Sequence, residues 1–89
     1  MFHVVLEAKA KAQIRKLDKA IAQRILDKLQ WLTENIEFIE LEALAGNWAQ
    51  HYKLRIGSYR LIYALDRPKE TITVVEVGHR SEIYNHFGD

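Results

Sequence analysis

Apolar and polar positions alternate most regularly between Tyr52 and Tyr63, which reads Tyr-Lys-Leu-Arg-Ile-Gly-Ser-Tyr-Arg-Leu-Ile-Tyr. A period of two is the signature of a strand with two unlike faces. Gly57-Ser58 between two such runs predicts a tight hairpin turn. If the turn holds only those two residues, Ile56 faces Tyr59, Arg55 faces Arg60, Leu54 faces Leu61 and Lys53 faces Ile62. One face then carries Tyr52, Leu54, Ile56, Tyr59, Leu61 and Tyr63, a core surface. The other carries Lys53, Arg55 and Arg60. A three-residue turn would instead carry Arg60 to the opposite face.

The rest of the pattern falls on either side of this hairpin. Phe2 to Leu6 is apolar and β-branched and predicts a strand. Ala8 to Leu17 is rich in helix formers, with Ala10, Ile14 and Leu17 at helical spacing. Asp18 is a candidate N-cap for a second helix running to about Thr33, with Ile21, Ile25, Leu29 and Leu32 on one face. A single helix over 8–33 is the alternative. The intervening Lys9, Lys11, Lys16, Lys19, Arg24 and Lys28 read as a solvated helix surface. Asn35 to Asn47 is the least regular stretch, acidic through Glu37, Glu40 and Glu42, with a turn signal at Gly46-Asn47. Trp48 leads into the hairpin, and Arg67-Pro68 disfavours helix after it. Thr71 to Val77 predicts the last long strand, ended by Gly78, and Ser81 to Phe87 one short helical turn.

This order predicts an α+β domain, β-α-α-β-β-β, spanning residues 1–89 as one unit. Its twisted sheet is mainly antiparallel and two helices pack on one face. The other face is then open and displays Lys53, Arg55 and Arg60.

Composition adds two constraints. The 89 residues include no cysteine, which excludes disulfides and thiol nucleophiles and agrees with a reducing cytoplasm. Net charge is only +1, but it is unevenly placed: residues 1–20 and 48–67 are basic, and residues 21–47 and 68–89 are acidic. The hairpin is therefore a local basic patch, suited to attracting phosphate without high overall charge. No apolar run approaches the ~18 residues that a membrane-spanning helix needs. The Met1–Val5 start lacks the basic and long apolar regions of a signal peptide, so a cytoplasmic location is expected.

Arg55 opposite Arg60 is a like-charge pair, which costs a ladder roughly 0.2–1 kcal/mol. Either the face is simply solvated, or it meets an anionic ligand. On both readings, removing Arg60 is expected to leave folding unchanged or improved. His3, His51, His79 and His86 are scattered, and no metal site, cofactor or glycine-rich phosphate loop is predicted. Trp31, Trp48, Tyr52, Tyr59 and Tyr63 read as packing residues, and His3, His51 and His86 have no case beyond structure. Basic groups, a histidine, tyrosines and a few glutamates suit RNA cleavage by the substrate's own 2′-hydroxyl. That reaction needs a base, cations for charge growing on the phosphate, and an acid for the leaving 5′-oxygen. Arg55 and Arg60 suit the phosphate, since guanidinium stays charged and donates bidentately. Lys53 and Glu42 are candidate bases, and His79 is a candidate base or acid.

Three segments together resemble the RelE/ParE toxin superfamily: Tyr52-Lys53-x-Arg55-Ile56-Gly57-x-Tyr59-Arg60-Leu61-Ile62-Tyr63, then Val77-Gly78-His79-Arg80 with Tyr84, and the upstream Glu42-x-Leu44-x-Gly46-Asn47. The resemblance runs over nearly the whole chain. It implies a toxin of a type II toxin–antitoxin pair, neutralised by a RelB-like antitoxin. It implies a metal-independent endoribonuclease that cuts mRNA in the 30S A site of the ribosome and arrests translation. On that basis Lys53, Arg55 and Arg60 hold and activate the phosphate, Arg80 helps the leaving group, and Tyr84 stacks on a base. In the YoeB-like branch a glutamate and a histidine form the acid–base pair, and Glu42 and His79 sit in comparable places. Arg55 stands where the best-known RelE hairpin has a second lysine. The superfamily also offers a DNA gyrase inhibitor of the ParE kind, and a decayed toxin that only binds antitoxin.

Overall fold

The computed structural model describes residues 1–46 and 48–87. Five strands form one sheet in the order β1-β5-β4-β3-β2, comprising β1 (His3–Leu6), β2 (Glu42–Ala43), β3 (His51–Ile56), β4 (Tyr59–Asp66) and β5 (Thr71–His79). β1 runs parallel to β5, and all other neighbours are antiparallel. The helices are α1 (Ala8–Arg15), α2 (Lys19–Asn35) and α3 (Arg80–Phe87). The architecture is the expected α+β sandwich, and four details bear comparison with the expectation: the helix break agrees with it and the other three differ.

The first is the break between α1 and α2. Two helices form rather than one, because Lys16 closes α1 and the Asp18 carboxylate accepts the Ala20 N–H at 3.3 Å. Ala10 and Ile14 of α1, and Ile25, Leu29 and Leu32 of α2, bury their stripes against Leu54, Ile56, Leu61, Tyr63, Leu65, Ile72, Val74 and Val77. Tyr63 is fully enclosed there, and burial pushes its phenol up to about 12. Tyr52 and Tyr59 pack at the margin of the same core.

The hairpin has the two-residue register. Ile56 pairs with Tyr59, Arg55 with Arg60, Leu54 with Leu61 and Lys53 with Ile62. Gly57 takes φ +59° while Ser58 stays at negative φ, the backbone pattern of a II′ turn with glycine first.

The second detail is β2, and it differs. Glu42 and Ala43 add a fifth, edge strand to the segment read as irregular, with Glu42 beside Lys53. Two residues are too few for an alternation to show. The turn signal at Gly46-Asn47 falls partly on Asn47, which lies outside the described residues.

The third concerns β5. Gly78 does not end it: the strand runs on to His79, and Gly78 pairs with Arg60. A bulge at Val75 moves the register between Ile62 and Tyr63, so core positions run Ile72, Val74, Val77.

The fourth is α3, two turns of helix rather than one. It lies over the face expected to be open. Its Ile83 packs within 3.7 Å of where a Gly78 side chain would begin, and Gly78 shares its face with Arg60. The Phe87 ring meets Trp48 at a 59° tilt, ring centroids 4.7 Å apart. Lys53 and Arg60 are only 5% and 6% exposed, and Ile62 beside them is fully buried.

Candidate functional site

The hairpin and α3 enclose a cavity of about 440 Å³ lined by Arg55, Arg60, Arg80, Ser81, Tyr84 and Asn85. Strand alternation delivers Arg55 and Arg60 to its floor, directly across the β3–β4 ladder. Helical spacing delivers the wall, since Arg80 and Tyr84, and Ser81 and Asn85, are each four residues apart on α3. The start of α3 is tied to the hairpin turn, its Arg80 N–H donating to the Ser58 carbonyl at 2.8 Å. Tyr84 stands on the rim, 58% exposed.

Arg60 is anchored rather than solvated. Its Nη1 donates to the carbonyls of Gly57 (2.8 Å) and Tyr59 (2.9 Å), while its buried Nε has no hydrogen-bond partner among the described residues. The expectation that Arg60 is dispensable for folding fails here, because it binds the turn it follows. A buried guanidinium N–H without an acceptor is costly, and an anion in the cavity would remove that cost.

The like-charge pair is offset by Glu42. Arg55 donates through Nε (2.9 Å) and Nη2 (2.7 Å) to the two oxygens of that carboxylate, and Lys53 Nζ lies 3.6 Å from one of them. The Arg55 hydrogen bond, with the charges of Arg55 and Lys53, holds the Glu42 carboxyl below the usual carboxylate range. A carboxylate so held is a weaker proton acceptor than an ordinary glutamate.

His79 is not among the residues lining the cavity. It pairs with Tyr59, on the face opposite Arg60, and meets the Tyr59 ring edge-on at 5.5 Å. The Ser81 N–H can only donate, so Nδ1 of His79 accepts it at 3.2 Å and the neutral ring carries its proton on Nε2. The Ser81 hydroxyl lies 3.0 Å from the same nitrogen. Of the seven candidates, then, Arg55, Arg60, Arg80 and Tyr84 line one cavity. Lys53 and Glu42 adjoin it through Arg55, and His79 stands apart.

Ser81 and Asn85 escaped the sequence reading. Their signal is the i, i+4 spacing with Arg80 and Tyr84, legible only if residues 80–87 are read as a full helix. Ile62 escaped too; three apolar residues in a row, Leu61-Ile62-Tyr63, mark a strand buried on both faces. Among the described residues, no three His, Asp or Glu side chains gather as metal ligands. No helix is long and apolar enough to cross a membrane.

The geometry defines a small α+β protein with a cationic cavity between its central hairpin and its terminal helix. Comparison with known proteins gives the family. Residues 4–84 match the family described as the ParE toxin of the type II toxin–antitoxin system parDE. An Escherichia coli protein assigned as a candidate RelE-like toxin is 31% identical over 86 residues, 94% of this chain and 90% of that protein. The chain belongs to the RelE/ParE superfamily of type II toxin–antitoxin toxins. Among solved structures, the RelBE2 toxin–antitoxin complex of Mycobacterium tuberculosis superposes with a TM-score of 0.79 at 23% identity, covering 90% of this chain and 92% of that one. The isolated RelE toxin of E. coli gives 0.76 at 24% identity, covering 96% and 93%. At those identities the two structures establish the shared fold alone.

Proposed function

We propose that this protein is a ribosome-dependent endoribonuclease that cuts mRNA in the A site, held in check in the cytoplasm by a cognate RelB-like antitoxin. The observation that carries this reading is the cavity in which Arg55, Arg60 and Arg80 meet beneath Tyr84, with Arg60 Nε buried and unpartnered. A phosphate placed there receives charge-assisted hydrogen bonds, and a neighbouring base stacks on Tyr84. The 2′-oxygen of the substrate attacks the adjacent phosphorus, a P–O bond forms, and the bond to the 5′-oxygen breaks. The arginines stabilise the charge that grows on the phosphate oxygens, and Arg80, at the cavity wall, serves the leaving side. One group takes the 2′-hydroxyl proton and another supplies a proton to the 5′-oxygen. Lys53, beside Arg55, and His79, at the head of α3, are the candidates for these transfers, with the Glu42 carboxylate engaged by Arg55. The complexes among the structural relatives support an antitoxin as partner.

A second reading is inhibition of DNA gyrase, favoured by the ParE description of the matching family. A translation extract programmed with a defined mRNA separates the two. New 3′ ends inside translated codons are expected. Intact mRNA together with inhibited gyrase supercoiling would overturn the nuclease reading and establish the second.

A further inference from the structure

We propose that the Glu42 carboxylate is a resident anion that holds the place of an RNA phosphate on Arg55 and Lys53, and yields them when substrate binds. This rests on the nuclease reading above.

The argument begins with burial. The Lys53 side chain is almost wholly enclosed, and an ammonium in such a place needs a negative partner within a few ångströms. Backbone pairing supplies one, since Glu42 is the direct ladder neighbour of Lys53. The same carboxylate takes two parallel hydrogen bonds from Arg55, through Nε and Nη2. That is the two-point geometry in which guanidinium also receives a phosphate. A phosphate and the carboxylate cannot share those donors without bringing two anions together.

What differs between the partners is how firmly each is fixed. Lys53 and Arg55 project from β3, inside the sheet, and Arg55 also forms part of the arginine-lined cavity. Glu42 projects from a two-residue strand at the sheet edge, and its side chain is 41% exposed. Its carboxylate reaches water by side-chain rotation alone. The cations stay in place and the carboxylate is the part that leaves. While the cavity is empty, the carboxylate also offsets the repulsion between Arg55 and Arg60. Glu42 therefore acts on substrate through Arg55 and Lys53, as a competitor and positioning residue.

Binding tests this separately from cleavage. The probe is a 2′-O-methyl RNA trinucleotide, which cannot be cut, titrated into the parent protein and Glu42→Gln. The neutral variant is expected to bind about two- to fivefold tighter, the scale of one partly exposed ion pair. In the parent, the Arg55 Nε resonance should move on titration as the carboxylate lets go; this readout needs no variant to fold. A Glu42→Gln protein that binds no tighter, or an Arg55 Nε resonance unmoved at saturation, overturns the inference while leaving the nuclease reading intact. Failure of both proteins to bind, with no cleavage in the translation extract, sinks both together.

Discussion

On the helical side of the sheet, Leu54, Leu61 and Tyr63 meet Ile25, Leu29 and Leu32 in one continuous core. On the other side the same strands present Lys53, Arg55, Arg60 and Ile62, and α3 forms a cavity there with Arg55 and Arg60. The first face is lined chiefly by apolar side chains. The second mixes three cations with a single enclosed isoleucine pair, Ile62 and Ile83. Burial on the first face is held by the hydrophobic effect and tolerates no ligand. Burial on the second encloses charge that apolar packing cannot satisfy. It leaves one guanidinium nitrogen unpartnered and one carboxylate shared among cations. A fold stable enough on one face can carry such an arrangement on the other, and the proposed anion binding rests on that arrangement.

Arg60 and Leu61, adjacent in sequence and opposite in direction, give the sharpest test of this division. Leu61→Ala should cost about 2–5 kcal/mol of stability by leaving a core cavity. Cleavage per folded molecule should stay within about twofold, because Leu61 does not line the arginine cavity. Arg60→Ala should lower cleavage about a hundredfold or more, as loss of one preorganised charge donor does. It should also cost about 1–3 kcal/mol of stability, because the Gly57 and Tyr59 carbonyls lose their donor. Denaturant unfolding and single-turnover cleavage on the same preparations check both. If Leu61→Ala damaged the chemistry as much as Arg60→Ala, the faces would not be functionally separate.

Tyr84→Ala probes the weaker edge of the second face. The ring is largely exposed, so melting temperature should hardly change. Loss of one base-stacking platform is worth about 1–3 kcal/mol, roughly a tenfold loss or more in cleavage at low substrate. Tyr84→Phe should retain most of the activity if stacking is the role. Near-equal loss in both variants would shift the role to the hydroxyl.

The two faces were not equally legible in the sequence. The core face announced itself through period-two alternation in the hairpin and the Ile21–Leu32 stripe, because burial against helices demands a repeating pattern. The hairpin register followed from Gly57-Ser58, since a two-residue turn leaves little freedom. The second face was read as open. Its cover, α3, has too few apolar residues to look like a packed helix, and Gly78 looked like a break rather than the flat spot that admits Ile83. The Glu42 contact with Arg55 was hidden for another reason. It joins residues thirteen apart in sequence through a strand of only two residues. Local periodicity carries no information about such an edge pairing. The toxin resemblance identified the chemistry-bearing residues as types, and the structure adds which of them share a cavity.

The smallest expected effect concerns that Glu42 contact and the pH dependence of folding. In the folded protein its carboxyl lies below the ordinary value of 4.5, chiefly through the Arg55 hydrogen bond. A depressed folded value means that the pair contributes stability above the unfolded value, near 4.5, and that this is lost as pH falls through the lower, folded one. The side chain is partly exposed, so solvent screening limits the contribution to about 0.5 kcal/mol. Among the described residues, no carboxylate is buried in the core on the helical face. Glu42→Gln should therefore be slightly less stable than the parent at pH 7, and the gap should close as pH falls through the lowered, folded value of Glu42. Chemical denaturation of both proteins at pH 7 and pH 3.5, in low salt, measures the difference of differences. A gap that stays constant across that range would mean that the carboxylate charge contributes nothing to folding, and that Glu42 matters only when an anion competes for its partners.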